Sequence, residues 1–339
     1  MKSEFVDGLL MRRRDALRAL AGWSLVAAGS KAFGHERHGS VLPYTPNTSD
    51  TFDYNNPYDN AYAFGKIWGG YDEPQYGAYH GVMYGRVDGK RHEALFGYTG
   101  SGVMQSRINA SGTISIRGKE TGFFTDLATG DILEEWLNPY TGERVKPFNF
   151  INEVGATLTA EMPRFAFGSD EDEPTLVNEG THREEHGVVP FILPFESYGD
   201  DLLLAWDYAH GYQNPVTKDK WPKASTGKKI SPSEHFTFRV SKSEMEDRSA
   251  PSSRFVAGLS RVSEWWPWMR MGGSEYQDGV LFGRMHSHKG LPGYQDLPPK
   301  LLSYLEKNHP EALQVPDDWT EKTQVGTWEK YAAEVPPEV

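Results

Sequence analysis

From Tyr79 onward the chain is broken into short runs by turn-forming residues, a rhythm that favours folds built from short antiparallel strands. Tyr79–Val87 ends at Asp88-Gly89, Arg91–Tyr98 at Gly100-Ser101-Gly102, and Val103–Ile108 at Asn109-Ala110-Ser111-Gly112, after which Thr113–Arg117 follows. Strand-length runs bounded at regular intervals by turn residues signal an antiparallel meander. Two later turns repeat one chemistry, Leu127-Ala128-Thr129-Gly130-Asp131 and Pro139-Tyr140-Thr141-Gly142-Glu143, with their glycines 12 residues apart. Each glycine supplies the positive φ of a tight turn, and the interval fits one strand, Ile132–Leu137. Strand-like runs continue through Val154–Glu161, Arg164–Phe167, Val188–Phe195, Leu202–Tyr208, His235–Val240, Phe255–Val262 and Val280–His286. The expected fold is mainly β: one antiparallel barrel or strongly curved sheet, lipocalin-like, over residues 79–295.

The flanks read differently. Residues 33–78 hold turn formers and aromatic anchors, among them Tyr54, Tyr58, Tyr62 and Trp68, which suits an extended arm packed on the body. Residues 296–339 read as short helices docked on the barrel. Asp296 is placed to cap the first, Pro298 and Pro299 sit in its opening turn, and His309-Pro310 stops it. Leu301, Tyr304 and Leu305 share one face of that helix. Trp328–Glu334 is a second short helix.

The amino terminus reads as an address. Met11-Arg12-Arg13-Arg14-Asp15-Ala16-Leu17-Arg18 precedes a short apolar run, Ala19–Ala28, and then Ser30-Lys31-Ala32. That order is a secretory signal plan, and the apolar run is too short to span a bilayer. The arginine pair resembles a twin-arginine signal, with Ala16 where a bulkier residue is usual. Residues 1–32 are therefore expected to be an export signal read by the twin-arginine machinery, giving a periplasmic or secreted protein with no membrane span. These residues carry six basic and three acidic side chains, so the net charge of −12 leaves −15 on the rest. A surface that acidic repels phosphate backbones, and no nucleic-acid partner is expected. The absence of cysteine removes disulfides, thiolate metal sites and a cysteine nucleophile.

One stretch combines rigid aromatic surface with titratable groups. Glu264-Trp265-Trp266-Pro267-Trp268-Met269-Arg270 carries three indoles around a proline, and Arg284-Met285-His286-Ser287-His288 follows closely. Pro267 cannot sit in a central ladder, so the segment is a bend or edge where an indole is free to line a cavity. If His286 and His288 lie on a strand, both project from one face. Trp265, Trp266 and Trp268 are the candidate ligand wall, Arg261 and Arg284 the candidate anion holders, and His286, His288 and Glu264 the candidate acid–base groups. His182-Arg183-Glu184-Glu185-His186 has the letters of a zinc motif that needs a helix, but Gly187-Val188-Val189-Pro190 follows at once. His182 and His186 are thus weak metal candidates. No phosphate loop or dinucleotide fingerprint occurs, so no nucleotide cofactor is expected, while a metal stays open.

Trp136-Leu137-Asn138-Pro139-Tyr140-Thr141-Gly142-Glu143, Ser263-Glu264-Trp265-Trp266-Pro267-Trp268-Met269-Arg270-Met271-Gly272 and Leu297-Pro298-Pro299-Lys300-Leu301-Leu302 resemble the family called "domain of unknown function 1838". The resemblance spans about Tyr44 to Trp319 and brings no established catalytic residues. The leading functional expectation is an exported enzyme doing acid–base chemistry (a lyase, isomerase or hydrolase step) on a small apolar or aromatic ligand. A non-catalytic periplasmic binding protein and a metalloprotein using the paired histidines are the alternatives.

Overall fold

A computed structural model describes residues 51–71, 73–161, 165–167, 175–177, 190–209, 211–322 and 326–339. Residues 1–32, expected to be an export signal, and His182 and His186 lie outside them. Nine strands form one sheet: β1 (Gln75–Arg86), β2 (Glu93–Ile108), β3 (Ile114–Thr125), β4 (Phe150–Leu158), β5 (Phe195–Tyr198), β6 (Asp201–Ala209), β7 (Ser233–Ser241), β8 (Phe255–Glu264) and β9 (Val280–Leu291). Their order is β4-β3-β2-β1-β9-β8-β7-β6-β5, with every neighbouring pair antiparallel. Two meanders, β1–β4 and β5–β9, are joined by pairing the first strand with the last.

The expected meander is present, but among the described residues it does not close into a barrel. The edges β4 and β5 are not paired with each other. Strict alternation across nine strands leaves those two edges pointing the same way, so an antiparallel ladder cannot join them.

Three local expectations also change. Gly100-Ser101-Gly102 is not a turn but the middle of β2. A Cβ at Gly100 would lie 2.3 Å from the Tyr79 ring and 2.0 Å from the Thr121 carbonyl oxygen, so the residue marks a close approach. Residues 132–137 are not a strand of the main sheet. Ile132 makes a single antiparallel bridge to Thr125, and Trp136–Leu137 pairs with Arg144–Val145. The two Thr-Gly turns are nonetheless the same device. Asp126 Oδ1 accepts from the amides of Ala128 and Thr129, Asn138 Oδ1 from those of Tyr140 and Thr141, and Gly130 and Gly142 follow at φ 74° and 71°. Finally, the arm contains a helix, α1 (Pro57–Trp68). Asn56 caps it by accepting from the Tyr58 amide at 2.8 Å, and Pro57 opens it. It is buried almost all round, which erases the amphipathic stripe by which a helix is read.

A short helix, α2 (Lys242–Glu246), follows β7. The tail helices occur as expected, α3 (Pro299–Asn308) and α4 (Thr327–Glu334), although Pro298 rather than Asp296 holds the N-cap of α3. Leu301 and Leu305 pack with Ala78 and Phe123, so α3 covers part of one face of the sheet, here called the outer face. The inner face carries two aromatic clusters, one around Trp265, Trp266 and Trp268, the other around α1.

Candidate functional site

Alternation along the strands separates the residues that sequence proximity had grouped. Trp265, Trp266 and Trp268 are 0%, 2% and 2% exposed. Pro267–Met269 forms the expected bend, a single 3-10 turn, yet no indole is free. Trp266 and Trp268 interlock with Phe96 and Phe124, and Trp268 also meets Trp136 edge-on at 5.6 Å. Trp265 Nε1 donates to the Tyr276 carbonyl at 2.9 Å. The tryptophans are therefore core rather than the wall of an open pocket. On β9 Met285 points inward, which sends Arg284, His286 and His288 to the outer face. The expected meeting of indole and imidazole does not occur.

On that outer face His286 is the register partner of His80, with ring centroids 6.2 Å apart. Burial, with His80 as a smaller contributor, lowers the pKa of His288. Arg284 lies over the Phe282 ring at 5.4 Å. Arg261 points the other way: it is buried, pairs with Glu234 at 2.6 Å, and rests against Trp266 and Trp328. Glu264 accepts the Ser231 amide with both oxygens at the end of β8. Among the described residues no group of three or more His, Asp or Glu side chains is placed to share a metal.

The inner face brings together a different set. Successive register pairs put Glu120 of β3, Gly102 of β2, Gly77 of β1 and Lys289 of β9 in one row across the sheet. A carboxyl and an amine thus stand at the two ends of a glycine floor. Three interstrand spacings separate their backbones, about 14 Å. Phe255 of β8 continues the row, and Trp68 at the end of α1 roofs it. The trough has a volume of about 40 Å³ and is walled by Trp68, Tyr79, Met104 and Phe255. A Cβ at Gly102 would meet nothing nearer than the Met104 methyl at 3.9 Å, so this glycine holds the space open. A bulge where β1 and β9 fall out of step, beside Gly290 at φ 109°, sits next to Lys289. Bulges re-aim the side chains next to them.

The polar groups at the two ends are held away from water. Glu120 is 4% exposed, and its Oε1 has no hydrogen-bond partner. Burial, reinforced by the charge of Glu234, pushes its pKa well above the carboxylate range. Lys289 is 7% exposed, and its Nζ donates to the carbonyls of Lys66 at 2.5 Å and Gly69 at 2.8 Å. Burial, then the neighbouring Lys66, holds its pKa well below the usual lysine value. The Tyr79 hydroxyl is raised by burial and donates to the Thr121 carbonyl. The chemistry open to this trough is proton transfer and nucleophilic attack by an amine on a small, mostly apolar molecule.

A period-2 reading carried through β3 points to Glu120. Ile114, Ile116 and Phe124 face inward, which places Gly118, Glu120 and Gly122 on the same row. A lone carboxyl on an inward row between glycines is the signal. Lys289 has the same signature after Leu281, Gly283, Met285 and Ser287. No local feature, however, says that the two rows meet.

A family model described as "Protein of unknown function (DUF1838)" matches residues 72–335. No curated protein matches the chain. Among solved structures, the crystal structure of MucB in complex with MucA(peri) shares 8% identity at a TM-score of 0.13, covering 81% of this chain and 100% of that one, a likeness too slight to bear on the fold.

Proposed function

The chain belongs to the DUF1838 family, and we propose that it binds a small, uncharged, largely apolar molecule in the inner-face trough and transfers a proton there with Glu120. The observation that carries this reading is the Glu120 carboxyl, buried, its Oε1 unpartnered, lining a trough whose other walls are Trp68, Met104 and Phe255. Burial favours the protonated form of this carboxyl, and a protonated carboxyl is a general acid waiting for an acceptor. The reaction class is the one expected from the sequence, an isomerase, lyase or hydrolase step, but the acid moves from His286 and His288 to Glu120. The wall moves from Trp265, Trp266 and Trp268 to Trp68.

The test is Glu120→Gln, which keeps the shape of the side chain and removes the proton. Small alcohols and carbonyl compounds are screened for binding by thermal shift, and bound compounds are followed for turnover by nuclear magnetic resonance. The variant is expected to bind with little change and to lose turnover. Unchanged turnover in Glu120→Gln would remove the carboxyl from the mechanism.

We propose in addition that the protein works outside the cytoplasm. The support is the basic, apolar and small-residue order over 11–32. Residues 1–32 fused to a reporter should direct export that an Arg13→Lys, Arg14→Lys pair abolishes. Export that ignores the pair would exclude the twin-arginine machinery as the partner.

A further inference from the structure

Two lysines are buried side by side in this fold, and their hydrogen bonds differ in number. Lys66 Nζ donates to three backbone carbonyls, those of Glu244 at 2.5 Å, Asp247 at 2.7 Å and Met245 at 3.4 Å. An ammonium has three N–H groups, so this cradle fits a charged lysine. Lys289 Nζ has two acceptors among the described residues, the carbonyls of Lys66 and Gly69. Two acceptors match the two N–H donors of a neutral amine and leave its lone pair without a hydrogen-bond role. A third proton on that nitrogen would be buried unpaired, at a cost of roughly 1–3 kcal/mol or more. The geometry thus fits the uncharged form, and the direction of the lysine's pKa, set by burial and then by Lys66 beside it, points the same way. Lys289 also lines the trough that Glu120 lines.

From this we infer that Lys289 is a nucleophile that takes a small, uncharged aldehyde or ketone into an imine, with Glu120 as the proton donor and acceptor. The inference rests on the reading of the trough given above and names the substrate class for it. Lys289 Nζ attacks the carbonyl carbon, a C–N bond forms, and the C–O π pair moves onto oxygen, which takes the Glu120 proton. The nitrogen returns one proton to the Glu120 carboxylate. The hydroxyl then takes that proton and leaves as water while C=N forms, and the second N–H proton goes back to Glu120. The two amine hydrogens leave in the water, and no oxidant or reductant is consumed. When protonated, the imine keeps one N–H for one of the two carbonyls. That form draws electrons from the adjacent C–H or C–C bond, the step an isomerase or lyase needs. Size limits the substrate: one water needs about 10–15 Å³ by this kind of measure, so 40 Å³ holds a compound of roughly three to four non-hydrogen atoms. Burial disfavours the charged forms of both Glu120 and Lys289, so the trough favours an uncharged substrate.

The experiment treats the full chain with propanal and sodium cyanoborohydride at pH 7, then maps the reduced propyl group by peptide mass spectrometry. Lys289 is expected to label faster than the exposed Lys218 and Lys229 by at least about ten-fold, because its two-carbonyl setting and burial favour the nucleophilic neutral amine. Gly102→Ala, which puts a methyl group in the trough, should suppress labelling of Lys289 alone. Labelling of Lys218 and Lys229 with Lys289 unmodified overturns the inference. A parallel thermal shift with 1-propanol, which fits but cannot form an imine, separates the two readings. Stabilisation by propanol with no label on Lys289 removes the imine and leaves the trough as a binding site, whereas the absence of both removes the trough as well.

Discussion

Two glycines on the same inward row of β2 should respond in opposite ways to one added methyl group. A Cβ at Gly102 has only the Met104 methyl at 3.9 Å and the Lys119 carbonyl oxygen at 4.0 Å nearby, ordinary contact distances. A Cβ at Gly100 would stand 2.0 Å from the Thr121 carbonyl oxygen and 2.3 Å from the Tyr79 ring, both fixed by the ladder and by the buried core. For Gly102→Ala, one newly buried methyl contributes about 0.8 kcal/mol and the loss of glycine's unfolded-state freedom about 0.5–1 kcal/mol. The variant should therefore be more stable by about 1.3–1.8 kcal/mol. It should also bind small ligands less well, because a group about the size of a water takes a large part of a 40 Å³ trough. Gly100→Ala must push a backbone carbonyl or a packed tyrosine aside, and should lose about 3 kcal/mol or more. Urea unfolding followed by tryptophan fluorescence measures both, with equal slopes as the check that only stability has changed. If Gly102→Ala were destabilised by more than a kcal/mol, the open space assigned to the trough would not exist. If it were stabilised but bound ligands as before, the trough would not be where they bind.

Glu329 on α4 has both carboxylate oxygens out of solvent without partners, and burial raises its pKa from 4.5 to about 7. A carboxyl whose folded pKa is raised costs nothing while protonated in both states, so stability should fall as pH rises from about 4.5 to about 7 and then level off. Glu329→Gln should remove that slope and raise stability at pH 8 by about 2 kcal/mol after allowance for its partial exposure, read from urea midpoints across pH; an unchanged slope would show that the carboxyl is solvated. Arg261→Met leaves the Glu234 charge buried without its guanidinium and should cost about 3–5 kcal/mol, most of it recovered when Glu234→Leu is added. Failure of the second substitution to restore the unfolding midpoint would mean that the arginine acts through packing on Trp266 and Trp328 instead. His286→Ala, on the exposed outer face, should change stability by less than about 0.5 kcal/mol and leave trough binding intact. Loss of binding in that variant would return the site to the outer face.

Much of this architecture is written in short stretches of chain. The paired turns at Gly130 and Gly142 carry their own hydrogen-bond donors and acceptors within six residues, so reading them needs no neighbour. The α3 face of Leu301 and Leu305 and the stop at His309-Pro310 are equally local. What lay beyond reach was which strand meets which. The pairing of β1 with β9 joins residues 194 to 215 positions apart, and it alone sets Gly77 beside Lys289. Register then decides the face, because side chains alternate every residue and neighbours in sequence part company in space. That is why Met285 enters the core while His286 leaves it, and why the tryptophans and histidines, close in sequence, never meet. The same rule assembles Glu120, Gly102, Gly77 and Lys289 from four strands into one row. A chain read alone fixes what each short segment prefers to be; only long-range pairing, which no local preference encodes, determines what shares a cavity.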